Sequence, residues 1–109
     1  MKKRISAAIG MMLLVPMHAI AIDARGMCHA TANIAKAAME HRQAGQPYSR
    51  VIKLLDDTDT PKKLKTLYVT FTDLAYFEPR YTSQTKQQKA VEAFRDEAYG
   101  RCMKEFSDR

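Results

Sequence analysis

Two cysteines, Cys28 and Cys102, are the only thiols in this 109-residue sequence. Without a third, a cysteine-built zinc site is excluded and only one pairing is available. The two are far apart, so the Cys-x-x-Cys arrangement, in which each thiol tunes the other for redox work, is absent as well. Long apolar runs are also missing. The longest stretch, Ile5–Val15, falls short of the roughly 20 residues that a helix needs to cross a bilayer. Internal repeats and low-complexity segments are lacking too.

Recognisable catalytic and metal-binding patterns are equally scarce. Ser49, Ser83 and Ser107 have cap or terminal positions, and none sits in a Gly-x-Ser-x-Gly elbow. His29 and His41 stand twelve residues apart on one predicted helix, about 18 Å along its axis and too far to share a metal ion. Neither Glu-x-x-His nor His-x-x-x-His spacing occurs. Asp56, Asp57 and Asp59 resemble the start of a calcium loop, which needs glycine at position six and glutamate at position twelve. Counted from Asp56 those positions hold Pro61 and Leu67; counted from Asp57 they hold Lys62 and Tyr68. The aspartates therefore read as a solvated turn whose charge favours the start of the next helix, and Lys62, Lys63 and Lys65 largely cancel it. Carboxylate pairs such as Glu92 with Asp96 are ordinary on helix surfaces, and i,i+4 partners such as Glu97 and Arg101 account for them. The expectation is a protein without catalytic residues, cofactor or metal, and not an enzyme.

What is present begins with an export signal. Lys2, Lys3 and Arg4 precede the apolar stretch, and Met17-His18-Ala19-Ile20-Ala21 places small residues at the −3 and −1 positions of a peptidase site. Residues 1–21 read as a cleaved secretory signal and residues 22–109 as a single domain. The full chain carries +6, but Lys2, Lys3 and Arg4 would leave with the signal. The 18 Lys and Arg then become 15 against 12 Asp and Glu, a net charge of about +3. That small excess suits solubility and is no nucleic-acid footprint. Nor would the domain remain inserted in a membrane after cleavage.

In an oxidising compartment, a domain of this size commonly relies on a covalent staple. A Cys28–Cys102 disulfide would enclose most of the mature chain. On the loop-entropy account it would add about 4.5 kcal/mol.

Apolar periodicity predicts four helices and no strand. The first, about Ala24 to Ala44, repeats Cys28, Thr31, Ala32, Ile34, Ala35, Ala38, Met39 and Arg42 at helical steps. Gly45 and Pro47 end it. A short second helix follows Ser49 as N-cap and uses Val51, Ile52, Leu54 and Leu55. The third starts at Thr60-Pro61 and carries Leu64, Leu67, Tyr68, Phe71, Leu74 and Ala75. Its segment Leu67–Thr72 is rich in β-branched and aromatic residues and by propensity alone favours a strand. The 3.6-residue stripe runs through it, however, and decides for helix. Pro79 ends this helix. Thr82, Ser83 and Thr85 are candidate caps for the fourth, which runs to about Phe106 with Ala90, Val91, Phe94, Ala98 and Cys102 on one face. A bond from Cys28 to Cys102 requires the first and last helices to lie antiparallel and side by side. The fold class is thus all-α, a small four-helix arrangement with one short helix.

The stretch Tyr76-Phe77-Glu78-Pro79-Arg80-Tyr81 sets three aromatics and an arginine around a proline corner. Tyr and Arg are enriched at binding hot spots, so Tyr76, Phe77, Arg80 and Tyr81 are the candidate protein-binding residues. The competing expectation has Phe77 closing the core, Tyr76 and Tyr81 packing over the helix junction, and Arg80 lying near helix-end carbonyls.

Taken together, the export signal, Cys28 in the first helix, Arg42-Gln43-x-Gly45 at its end, Ala75-Tyr76, Glu78-Pro79-Arg80-Tyr81, Phe94-Arg95 and Cys102 form a pattern. It resembles a group of small exported proteins of proteobacteria and their prophages. The resemblance spans essentially the mature chain, implies a periplasmic location and carries no catalytic residue. In size, helicity, export signal and single disulfide the chain also resembles the HdeA family of periplasmic acid-stress chaperones. There the cysteines bracket the central helices, whereas here they join the two ends. The functional expectation is a periplasmic binding or regulatory module that contacts another envelope protein, with an acid-stress chaperone as the alternative.

Overall fold

The computed structural model describes residues 24–108. The predicted signal and its cleavage site at Ala21 lie outside them. Four helices follow one another: α1 over residues 24–43, α2 over Tyr48–Asp57, α3 over Lys62–Phe77 and α4 over Gln84–Ser107. Among the described residues there is no strand. No helix among them is long and apolar enough to cross a membrane.

Alanine decides which helix is central. Ala32, Ala35 and Ala38 share one face of α1 with Cys28, Ile34 and Met39, and all six are buried. The other helices add only Val51, Thr72, Ala75 and Ala98 to the buried set. Short side chains let neighbours approach the α1 backbone closely, so this helix is wrapped while the outer three keep wide exposed faces. At the centre, Ala38, Met39 and Ala75 meet, with Phe71, Tyr76, Val91 and Phe94 packed against them.

α1 and α4 pack most closely and run antiparallel. Cys28 and Cys102 form a disulfide with their Cα atoms 5.4 Å apart. His29 meets Tyr99 at 4.7 Å between ring centroids, and at the other end Gln43 reaches Tyr81. α2 and α3 form a second antiparallel pair. Tyr48 donates a hydrogen bond to Asp73 at one end, and Lys65 pairs with Asp56 at the other. α3 crosses α4 where Phe71 meets Phe94 edge-on, 6.2 Å between centroids.

Local chemistry explains most helix ends. At the end of α1, Gly45 adopts φ +79°. Its N–H donates to the Arg42 carbonyl, and the Gln46 N–H reaches back to His41, both at 3.1 Å. This is a Schellman cap, which needs a residue comfortable in the left-handed region. Ser83 caps α4 by accepting from the Lys86 N–H at 3.2 Å.

Two starts differ from the sequence expectation. α2 begins at Tyr48 with Pro47 in the cap position, so Ser49 lies inside the helix and caps nothing. α3 begins at Lys62, with Pro61 rather than Thr60 at its cap. In both cases proline, with no N–H to satisfy and its φ already set, takes the boundary itself.

The ambiguous segment of α3 is helical throughout. Its threonines manage this by turning their hydroxyls back on the helix: Thr66, Thr70 and Thr72 each donate to the carbonyl four residues earlier, at 3.0, 2.9 and 2.7 Å. Thr72 is fully buried, and this bond is what satisfies its hydroxyl there.

Candidate functional site

The two short sequence patterns, residues 42–45 and 78–81, are remote in the chain and interlock in space. Gln43 is the pivot. It projects from the last turn of α1 and is only 3% exposed. Its amide nitrogen donates to the Pro79 carbonyl at 2.9 Å, and its amide oxygen accepts from the Tyr81 N–H at 2.8 Å. One side chain thus does for the 78–81 corner what a neighbouring strand would do for an extended segment.

Around that pivot the remaining polar groups also find partners. Arg42 Nε donates to the Glu78 carbonyl at 3.0 Å, and Arg80 Nε donates to the Gln43 carbonyl at 3.1 Å. The latter carbonyl belongs to the last turn of α1, where a cation is favoured by the exposed carbonyls and the helix dipole. The Arg80 guanidinium lies over Gly45 so closely that a Cβ there would fall 2.9 Å from it. Gln87 Nε2 donates to the Tyr81 carbonyl at 2.6 Å, tying the corner to α4 as well. Tyr76 donates to the Gln46 carbonyl at 2.5 Å, with Arg42 5.3 Å from its ring centroid. Burial raises the Tyr76 phenol above its ordinary value near 10, and the Arg42 charge partly opposes that rise.

Of the four residues singled out from sequence, Tyr76 and Arg80 are therefore part of this interlocked junction. Tyr81 contributes mainly its backbone to it and keeps its ring partly exposed.

Phe77 is different. It is 88% exposed, the most exposed large apolar residue described. The expectation that it closes the core does not hold. Tyr76 and Phe77 project about 100° apart around α3. Once Tyr76 turns toward α1, Phe77 points away from the bundle.

Two concavities flank Phe77. One, a cleft of about 340 Å³, runs between α3 and α4, with Phe71, Phe94 and Ala98 below and Leu74 and Phe77 along one wall. The second lies on the α2 side and is lined by Tyr48, Asp73, Tyr76 and Phe77. The hydrogen bond from Tyr48 to Asp73 at its edge raises the Tyr48 phenol, with burial and the Asp73 charge acting in the same direction.

Leu74 is 45% exposed and stands one turn before Phe77. The apolar stripe read from sequence had placed it on the core face. The usable signal was the spacing of Phe71, Leu74 and Phe77 at i, i+3 and i+6. That series continues apolar character off the face headed by Ala75, so α3 carries more apolar surface than its neighbours cover. Gln43 had no signal of its own, since a buried glutamine is identified only by what it reaches.

Among the described residues, no group of three His, Cys, Asp or Glu side chains is arranged to hold a metal ion. His41 instead lines a small apolar cavity of about 210 Å³ between α1, α2 and α3, shared with Val51, Leu54, Tyr68 and Thr72. No protein-family model, no curated protein and no solved structure matches the chain.

Proposed function

We propose that this protein works in the periplasm as a non-enzymatic binding module, docking on another envelope protein through the exposed edge of α3. The observation that carries this reading is Phe77. A phenylalanine held 88% in water at the capped end of a helix forgoes about 1.5–3 kcal/mol of burial. Aromatic residues beside a preformed cleft are the usual anchors of protein–protein contacts. The basic start, apolar stretch and Ala19-x-Ala21 site support export. The disulfide suits an oxidising compartment. The resemblance to small exported proteobacterial proteins points the same way.

The test is chemical cross-linking in intact cells followed by capture of a C-terminally tagged chain, comparing the wild type with Phe77→Ala. One dominant envelope partner, lost in the variant, is the expected result. A partner retained at full yield in Phe77→Ala would remove this edge from consideration. The mass of the exported chain should begin at Ile22. An Arg80→Ala or Tyr81→Ala variant is a poorer probe, because Arg80 helps to hold the junction.

One observation favours the second reading, an acid-stress chaperone. Leu54, Leu64, Leu74 and Phe77 are all exposed and all lie on α2 and α3, the pair that the disulfide does not bridge. Loosening this pair at low pH would extend an apolar surface. That reading predicts hydrophobic-dye binding and loss of fixed packing at about pH 2–3, and cross-links to many proteins in acid that Phe77→Ala leaves intact.

A further inference from the structure

The charges around Phe77 narrow the chemistry of the partner, on the premise that the protein is a binding module. Three exposed carboxylates surround the apolar edge: Asp73, Glu78 and Glu97. Among the described residues, the single cation lining either concavity is Arg101, which is already engaged with Glu97 at 2.7 Å. Asp73 accepts a hydrogen bond from Tyr48. Among the described residues, no Lys, Arg or His nitrogen lies within 4.0 Å of the carboxylate oxygens of Asp73 or Glu78. Arg42 and Arg80 turn toward the α1 junction and line neither concavity. The apolar edge is thus rimmed by two carboxylates without an ion-pair partner, Asp73 and Glu78, on a chain whose predicted mature form is net positive.

We infer that the α3–α4 cleft receives the apolar face of an amphipathic helix of another protein, with Lys or Arg flanking that face. Residues at i, i+3 or i+4 and i+7 of the partner lie along the cleft against Phe71, Leu74, Phe77 and Phe94, in the helix-in-groove mode. Their basic neighbours meet Asp73 and Glu78. A symmetric contact with a second copy is disfavoured by the same rim, since a two-fold axis through Phe77 brings like carboxylates together.

The probe is a fluorescein-labelled 18-residue peptide of Leu and Lys, with leucines at i, i+3, i+4 and i+7. Its controls are a scrambled peptide of the same composition and an ordered peptide with Glu for Lys. Fluorescence anisotropy against the oxidised mature protein, at low and moderate salt, gives the affinities. The ordered basic peptide binds, and both controls bind at least 10-fold more weakly. Phe77→Ala weakens the ordered peptide roughly 10- to 100-fold. The double variant Asp73→Asn, Glu78→Gln weakens it about 3- to 10-fold and flattens the salt dependence. Thermal melts of all variants show that the fold is retained.

Equal binding of the scrambled or acidic peptide, or indifference to Phe77→Ala, overturns the inference. So does a dimer in sedimentation that Phe77→Ala dissolves. The two levels separate cleanly. Failure of the peptides with a cellular partner that still depends on Phe77 sinks the basic-helix chemistry alone, whereas a cellular partner indifferent to Phe77 sinks the binding edge itself.

Discussion

On the α1 side of the corner that ends α3, polar groups of residues 42–46 and 78–81 meet one another. On the other side, Leu74 and Phe77 face solvent beside an open cleft. The same six-residue stretch supplies both sides. Its aromatic and arginine residues look alike as hot-spot candidates, yet Tyr76 and Arg80 hold the fold together and Phe77 does not. A fixed corner and an exposed anchor are therefore complementary parts. The interlocked side fixes the backbone at 78–81, so under the proposed binding role Phe77 would lose little freedom on docking.

Substitutions on either side put this contrast at risk. Joint replacement Cys28→Ser, Cys102→Ser should have the largest effect, a loss of about 4–5 kcal/mol, read as a fall in denaturant midpoint. It also asks whether the junction alone keeps α1 beside α4. Gln43→Ala should cost about 2–3 kcal/mol, because the Pro79 carbonyl and the Tyr81 N–H lose their partner together. A loss under about 0.5 kcal/mol would show that water replaces Gln43 and that the junction does not depend on it. Gly45→Ala should cost about 1–2 kcal/mol, since φ +79° strains any Cβ and the Arg80 guanidinium occupies the space.

Tyr76→Phe should cost about 1 kcal/mol at neutral pH by removing the bond to Gln46. Its pH signature is more specific. The folded phenol titrates above the ordinary value near 10, so the protonated form is favoured in the folded state. That contribution is fully present below about pH 10 and is lost as pH rises through the elevated value. Alkaline unfolding curves should be flatter for Tyr76→Phe than for the wild type, with the part due to Tyr48 remaining. Phe77→Ala should be the smallest in stability, within about 0.5 kcal/mol. If it instead destabilised strongly, Phe77 would belong to the core, and the contrast between the two sides of the corner would collapse.

Much of this architecture is legible in the residues taken one segment at a time. Helical spacing on α1 names its buried face, Cys28, Ala32, Ile34, Ala35, Ala38 and Met39, with Thr31 left half-buried at its margin. Gly45 and Pro47 mark its end, and the residue before Pro79 marks the end of α3. Legibility fails at two starts, where Ser49 and Thr60 looked like caps. A capping hydroxyl and a proline both signal a boundary, and only the backbone path shows which residue takes it. It fails again on the outer helices, where the stripes on α3 and α4 list apolar residues without saying how many the thin alanine core can cover.

Residue order alone dictates the four helices, the antiparallel placing of the first and last through Cys28 and Cys102, and the corner at Pro79. These follow from hydrogen bonds and steric limits within a few residues, and from a single possible disulfide. Packing in three dimensions settles the rest: Gln43 holds the corner from a distant part of the chain, Tyr76 turns inward and Phe77 is left in water. Those outcomes depend on the angle at which α1 meets α3. That meeting runs through Ala38 and Met39 against Ala75, and no local pattern in residues 76–81 contains it.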